Sequence, residues 1–191
     1  MTITTTNKEV KLVEFFPEEG KWRVRWNISK HFSEDGLLSG LSYEEETYRY
    51  IPTIEDIQQT IAEYYNKETN LRILYGFRWN GRNVYLSDEN KFNYKAIIDE
   101  AARREAVINL WDKEHPDTTE GRPTSLLPIT LKLGEKNIPE NFYVFTTLAE
   151  IQEFFAAGVQ YLIDAYSYGW MQIATFDYAP YVEALANLNN E

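Results

Sequence analysis

Carboxylates, two imidazoles and a large set of aromatic rings are what this chain offers to chemistry. It holds 30 Asp and Glu, two His and no Cys in 191 residues. Without cysteine, a thiolate metal site, a thiol nucleophile and a disulfide are all excluded. His31 and His115 stand far apart and outside any H-E-x-x-H spacing, so the sequence predicts no metal centre. Glu44, Glu45 and Glu46 form the tightest acidic run. Successive strand residues point to opposite faces, so three adjacent acids do not converge, and the run reads as a solvated acidic edge. A glycosidase-type pair needs two carboxyls meeting in one cleft, and no spacing singles such a pair out. Neither a glycine-rich phosphate loop nor a G-x-S-x-G nucleophile elbow occurs. The expectation is a non-enzyme with no catalytic, cofactor-binding or metal-binding residues, and no cofactor.

What remains is aromatic. Fourteen Tyr, 10 Phe and 5 Trp make up 15% of the chain, enough to supply both core and contact anchors. One cluster stands out: Tyr166, Tyr168 and Trp170, with Tyr178 and Tyr181 beyond. Tyr and Trp are enriched in interface anchors, so these five are the candidate interaction surface, for a protein or a sugar. The competing reading is core packing at a helix end.

The elements that must position these residues alternate between hairpins and helices. The clearest local grammar runs from Leu74 to Tyr94. Leu74 to Trp79 reads as a strand with alternating faces. Asn80-Gly81 suits a type I′ turn, because both residues tolerate positive φ. Val84 and Leu86 continue a second strand, and Ser87 caps a helix predicted from Asp88 to Asp112. Before this stretch, residues 1–7 read as a loose Thr-rich arm. Val10–Phe16 and Trp22–Ile28 read as a hairpin, residues 29–42 as a loop holding His31, and residues 43–51 as a strand. Asn27-Ile28-Ser29 matches a glycosylation acceptor, but within a predicted strand it is discounted. Thr53 to Asp56 resembles a capping box and opens an amphipathic helix of roughly 13 residues, ending near Asn66.

After the central stretch, residues 113–128 read as a loop holding His115. Ile129–Leu133 and Phe142–Phe145 form a second predicted hairpin. Thr147 to Glu150 is a capping box for a helix with Ile151, Phe154, Phe155, Val159, Leu162, Ile163 and Tyr166 at helical spacing, fraying near Gly169. A short strand over Met171–Phe176 and a last helix after Pro180 close the chain. The expected fold class is α+β, with small antiparallel hairpins or sheets packed against two long helices and an N-terminal β-hairpin region. The expected division is 1–52, β-rich, and 53–191, α+β.

The net charge of −11 argues against nucleic acid and anionic membrane surfaces as partners, since both need clustered Lys and Arg. No apolar run reaches transmembrane length. The start, MTITTTNKEV, has no hydrophobic signal core, so the default expectation is that the protein stays in a cytoplasm or leaves it without a Sec-type signal.

The pattern F-x-W-N-G-x-x-V-x-L-S-x-E-N, followed by N-Y, is carried here by Phe77, Trp79, Asn80, Gly81, Val84, Leu86, Ser87, Glu89, Asn90, Asn93 and Tyr94. A later Phe-Thr-Thr step is carried by Phe145, Thr146 and Thr147. Together these resemble a domain of unknown function recurrent in tailed bacteriophages and prophages, including those of gut Bacteroidales. Its members are often encoded near tail-fibre or fibre-assembly genes. The resemblance covers residues 70–178. It implies a non-enzymatic structural or adaptor protein of a phage or prophage-like tail. Other tail or fibre proteins would be its partners, with homo-oligomerisation allowed, and its place would be the virion after assembly in the host cytoplasm. Residues 1–52 would be the attachment region. Two alternatives stand beside it: a tail-fibre assembly chaperone absent from the finished particle, and a carbohydrate- or receptor-binding module. The family has no established catalytic residues, so none carries over.

Overall fold

The computed structural model describes residues 2–7 and 9–188. The fold is α+β, with a four-stranded antiparallel sheet, two small hairpins and long helices. The strands are β1 (Thr2–Thr5), β2 (Val13–Phe16), β3 (Lys21–Phe32), β4 (Leu38–Tyr48), β5 (Arg78–Trp79), β6 (Arg82–Asn83), β7 (Ile129–Lys132) and β8 (Phe142–Phe145). The helices are α1 (Ile54–Tyr75), α2 (Asp88–Glu114), α3 (Leu148–Ala174) and α4 (Ala179–Leu188). The sequence divides the chain at 52/53, but the packing groups it otherwise. One unit is Met1–Tyr65 with Gln172–Glu191, the other Asn66–Met171. Both boundaries fall inside helices. Ile57 and Ile61, in the first turns of α1, are fully buried with the strand residues Val13, Val24 and Trp26, so that half of the helix belongs with the sheet.

In the first unit the sheet order is β1-β4-β3-β2. Residues 2–5 are not a loose arm: they pair antiparallel with β4, Thr2 opposite Glu44 and Thr5 opposite Leu41. Three Thr and one Ile are β-branched and suit an edge strand. The expected loop over 29–42 is also mostly strand. β3 and β4 extend toward a tight turn in which the Ser33 hydroxyl donates to the Leu37 carbonyl at 2.9 Å and Gly36 sits at φ 78°. The register slips between Trp26 and Ser29, where Asn27 takes φ 53°. Thr53 and Asp56 close the expected cap of α1: the Thr53 hydroxyl accepts from the Asp56 N–H at 3.2 Å, and the Asp56 carboxylate accepts from the Thr53 N–H at 2.9 Å.

In the second unit, α1 continues to Tyr75 rather than ending near Asn66. Residues 67–75 hold no Gly or Pro, and most are good helix formers, so nothing stops the helix before Gly76. Leu74 and Tyr75 are therefore helical, and the hairpin is reduced to the two-residue strands β5 and β6. The turn itself is as expected, with Asn80 at φ 45° and Gly81 at φ 78°. A β-branched residue resists that conformation, so Gly81→Val is expected to cost about 1–3 kcal/mol. Urea unfolding measures it as a lower midpoint at unchanged slope; an unmoved midpoint contradicts the turn assignment.

α2 starts where Ser87 predicts, its hydroxyl accepting from the Asn90 N–H at 3.2 Å. α3 does not fray at Gly169. A Cβ there would lie 2.0 Å from the Thr69 hydroxyl, so glycine permits α1 and α3 to touch. The helix then runs to Ala174, through the stretch expected to be a strand; residues 170–174 hold no breaker. The last helix begins at Ala179, with Pro180 in its first turn.

The capping box at 147–150 is built as expected. Thr147 Oγ1 accepts from the Glu150 N–H at 3.2 Å, and the Glu150 carboxylate accepts from the Thr146 N–H at 3.0 Å. The same carboxylate accepts from the Tyr143 hydroxyl at 2.6 Å, which ties β8 to the helix start. The Tyr143 bond, then that of Thr146, holds the Glu150 carboxyl below its ordinary 4.5. A depressed folded pKa contributes stability that is present above the unfolded value and lost as pH falls through the folded one. Between about pH 7 and pH 3, the wild type is expected to lose more stability than Glu150→Gln. Urea midpoints at the two pH values check this, and equal losses contradict it.

Candidate interaction surface

α3 carries two apolar rows. Ile151, Phe154, Gly158, Ala165 and Gly169 are buried. A second row, Ala156, Val159, Ile163, Tyr166 and Trp170, is exposed along its whole length. Its spacing of three, four, three and four residues puts all five on one stripe of the helix. The stripe ends in Tyr166 and Trp170, stacked with ring centroids 5.8 Å apart. Trp170 is 63% exposed and Tyr166 38%. One helix needs only one buried face to hold its place in a two-layer packing, so the second row is surplus to the fold.

The five aromatic residues expected at the surface separate. Tyr166 and Trp170 share the exposed row. Tyr168 is exposed on a different side of α3, with the Arg72 guanidinium 4.6 Å from its ring centroid. Tyr178, in the other unit, is half-buried against Phe176, and burial pushes its hydroxyl pKa up. Tyr181 is corrected from surface to core: it is 4% exposed and its hydroxyl donates to the Arg25 carbonyl at 2.8 Å. Burial pushes that hydroxyl up as well. Val159, Ile163 and Tyr166, read from the sequence at one helical spacing with Ile151 and Phe154, lie outside the buried row. The signal was available, because the 156–170 row is a separate heptad register from the 151–169 row.

Beside the exposed row lies an apolar pocket of about 150 Å³, formed within the second unit by Phe77, Tyr94, Phe154, Phe155, Val159 and Leu162. Gly158 leaves it room. Lys91 and Lys95 border it, while their ammonium groups pair with Asp88 at 2.7 Å and Asp99 at 2.5 Å. The Tyr94 hydroxyl donates to the Lys132 carbonyl at 2.8 Å, and burial pushes its pKa up to about 12. The pocket thus presents hydrocarbon and ring surface.

The acidic run is not a solvated edge. Glu46 alone is exposed. Glu44 is 6% exposed and accepts from the Thr2 hydroxyl. Glu45, with its side chain 6% exposed, takes the Arg25 Nε at 2.7 Å. Arg25 itself is buried and also donates to Glu14 at 2.7 Å and to the Lys11 carbonyl at 3.1 Å. Burial works against the guanidinium charge, and the bonds to Glu14 and Glu45 outweigh it, so the Arg25 pKa stands above its ordinary value. Arg25 thus bridges Glu14 on β2 and Glu45 on β4, and the bonds serve the sheet. His31 lies in β3 rather than in a loop, and His115 caps the end of α2, stacked on Trp111 at 4.7 Å. Among the described residues, no group of three or more His, Asp or Glu is placed to hold a metal ion, and no helix is long and apolar enough to cross a membrane. Comparison with family models, curated proteins and solved structures returns no match.

Proposed function

We propose that this chain is a non-enzymatic adaptor of a bacteriophage or prophage-like tail, working through protein–protein contact on the exposed face of α3. The observation that carries the contact reading is the second apolar row, which ends in the stacked Tyr166 and Trp170. Exposed aromatic rows of this kind are costly in water and are what contact surfaces are made of. The tail assignment is supported by the resemblance of the 77–94 motif, whose Asn80-Gly81 turn and Ser87 cap both serve as hairpin and helix punctuation. In this reading the sheet-bearing unit attaches the protein to its own particle, its partners are other tail or fibre proteins, and the α3 face is open to homo-oligomerisation. Mass spectrometry of purified particles tests it: the chain is expected among the virion proteins. Its absence from particles, with co-purification on fibres before assembly, would replace the adaptor with an assembly chaperone. Glycan-array binding would replace it with a receptor-binding module.

A further inference from the structure

The exposed row of α3 has a centre. Ile163 lies seven residues after Ala156 and seven before Trp170. On an α-helix that is about 10 Å in either direction, on nearly the same side. Reversal about Ile163 therefore exchanges the ends of the row, Ala156 with Trp170, its smallest side chain with its largest, and sets Val159 opposite Ser167 and Tyr166 opposite Gln160. The residues flanking it are uncharged, Gln160 and Ser167 on one side and Phe155 and Leu162 on the other. A second copy meets no like-charge repulsion along this seam. The end near Ala156 adjoins the pocket lined by Phe155, Val159 and Leu162, whose volume of about 150 Å³ suits one aromatic ring system. The other end holds the most protruding aromatic of the helix, Trp170.

We propose that α3 forms the two-fold interface of a homodimer. Two antiparallel copies meet at Ile163, and the Trp170 indole of each enters the apolar pocket beside Ala156 of the other. Small then faces large at both ends, as an isologous contact requires. This names a second copy as the partner of the face on which the proposed function rests. The exposed parts of Val159, Ile163, Tyr166 and Trp170 amount to roughly 400 Å² per copy, about half of a standard interface. The dimer is accordingly weak, and the pocketed tryptophan is its anchor.

Sedimentation of the purified full chain over about 5 μM to 1 mM is expected to show the mass rising from 22.5 kDa toward twice that value. Trp170→Glu and Ala156→Arg, both at exposed positions, are each expected to weaken dimerisation at least about 30-fold with an unchanged circular dichroism spectrum. The chain has no cysteine, so single cysteines report geometry. Ile163→Cys is expected to oxidise to a covalent dimer. Ala156→Cys is not, because an antiparallel pair holds the two 156 positions about 20 Å apart. A wild type that stays monomeric to about 1 mM overturns the proposal, as does a dimer that survives either charged variant. Crosslinking of Ala156→Cys in place of Ile163→Cys overturns the antiparallel arrangement and with it the pocketed tryptophan. Solution mass and particle composition are separate readouts, so either this dimer or the tail assignment can fail while the other stands.

Discussion

Replacing Phe154 by alanine is expected to remove about 3–5 kcal/mol of stability from the unit that carries the exposed α3 face. Phe154 is 1% exposed, and four other rings meet it. Phe145, Tyr94 and Trp79 lie at 5.2, 5.3 and 5.5 Å between centroids, the last two edge-on, and Phe77 at 6.0 Å. These come from β8, α2 and the central hairpin, so one side chain on α3 holds three other segments of the unit. Truncation forfeits the transfer free energy of the ring, leaves a cavity that four rigid neighbours cannot collapse into, and loses the edge-to-face pairs. A domain has only about 5–15 kcal/mol in hand, so the variant should lose a large fraction of its stability. Phe92→Ala is the control: 74% exposed, it should change the urea midpoint by no more than about 0.5 kcal/mol equivalent. A Phe154→Ala loss as small as that of Phe92→Ala would show that the aromatic cluster does not organise the unit.

Local chemistry was legible in the sequence, and pairing across distance was not. Asn80-Gly81, Ser87, Thr53–Asp56 and Thr147–Glu150 each act through bonds within a few residues, and each does what its residue types imply. Residues 2–5 looked like an arm because their strand partner, β4, lies about forty positions away. A four-residue edge strand has no periodicity long enough to announce itself. Leu74 and Tyr75 alternate as a strand would, yet they end a 22-residue helix, because the preceding turns were already helical and extending a helix costs less than starting a strand. The aromatic surface was half legible. Tyr166 and Trp170 fit the heptad row, but Tyr181 is equally spaced from nothing on that row and is buried on a different helix. Arg25 was invisible as a buried cation, since its partners Glu14 and Glu45 come from two other strands.

That arginine sets the last large effect. Arg25→Met is expected to cost about 3–5 kcal/mol, the cost of breaking a buried ion pair from one side. The side chain is 3% exposed and lies on the sheet face opposite Val24 and Trp26, between β2 and β4. Methionine matches much of its length, so little volume is lost. What is lost is the partner of Glu45, whose carboxylate would stay buried with only Arg23 at 3.5 Å nearby. The Lys11 carbonyl would lose its donor as well. The alternative is that Arg25 matters only as hydrocarbon, stacked among Phe16 and Tyr43 at 5.5 and 5.3 Å from the guanidinium carbon. The double variant Arg25→Met with Glu45→Leu separates the two. If charge burial dominates, removing both partners should restore most of the lost stability, because apolar replacement of a whole buried pair is often neutral or better. If packing dominates, the second substitution should add its own cost. A double-mutant cycle of urea unfolding free energies reads the difference as a coupling, expected to exceed about 1.5 kcal/mol. A coupling near zero would mean that Arg25 and Glu45 are independent despite their 2.7 Å contact, and that the sheet's outer face is held by its rings and not by its charges.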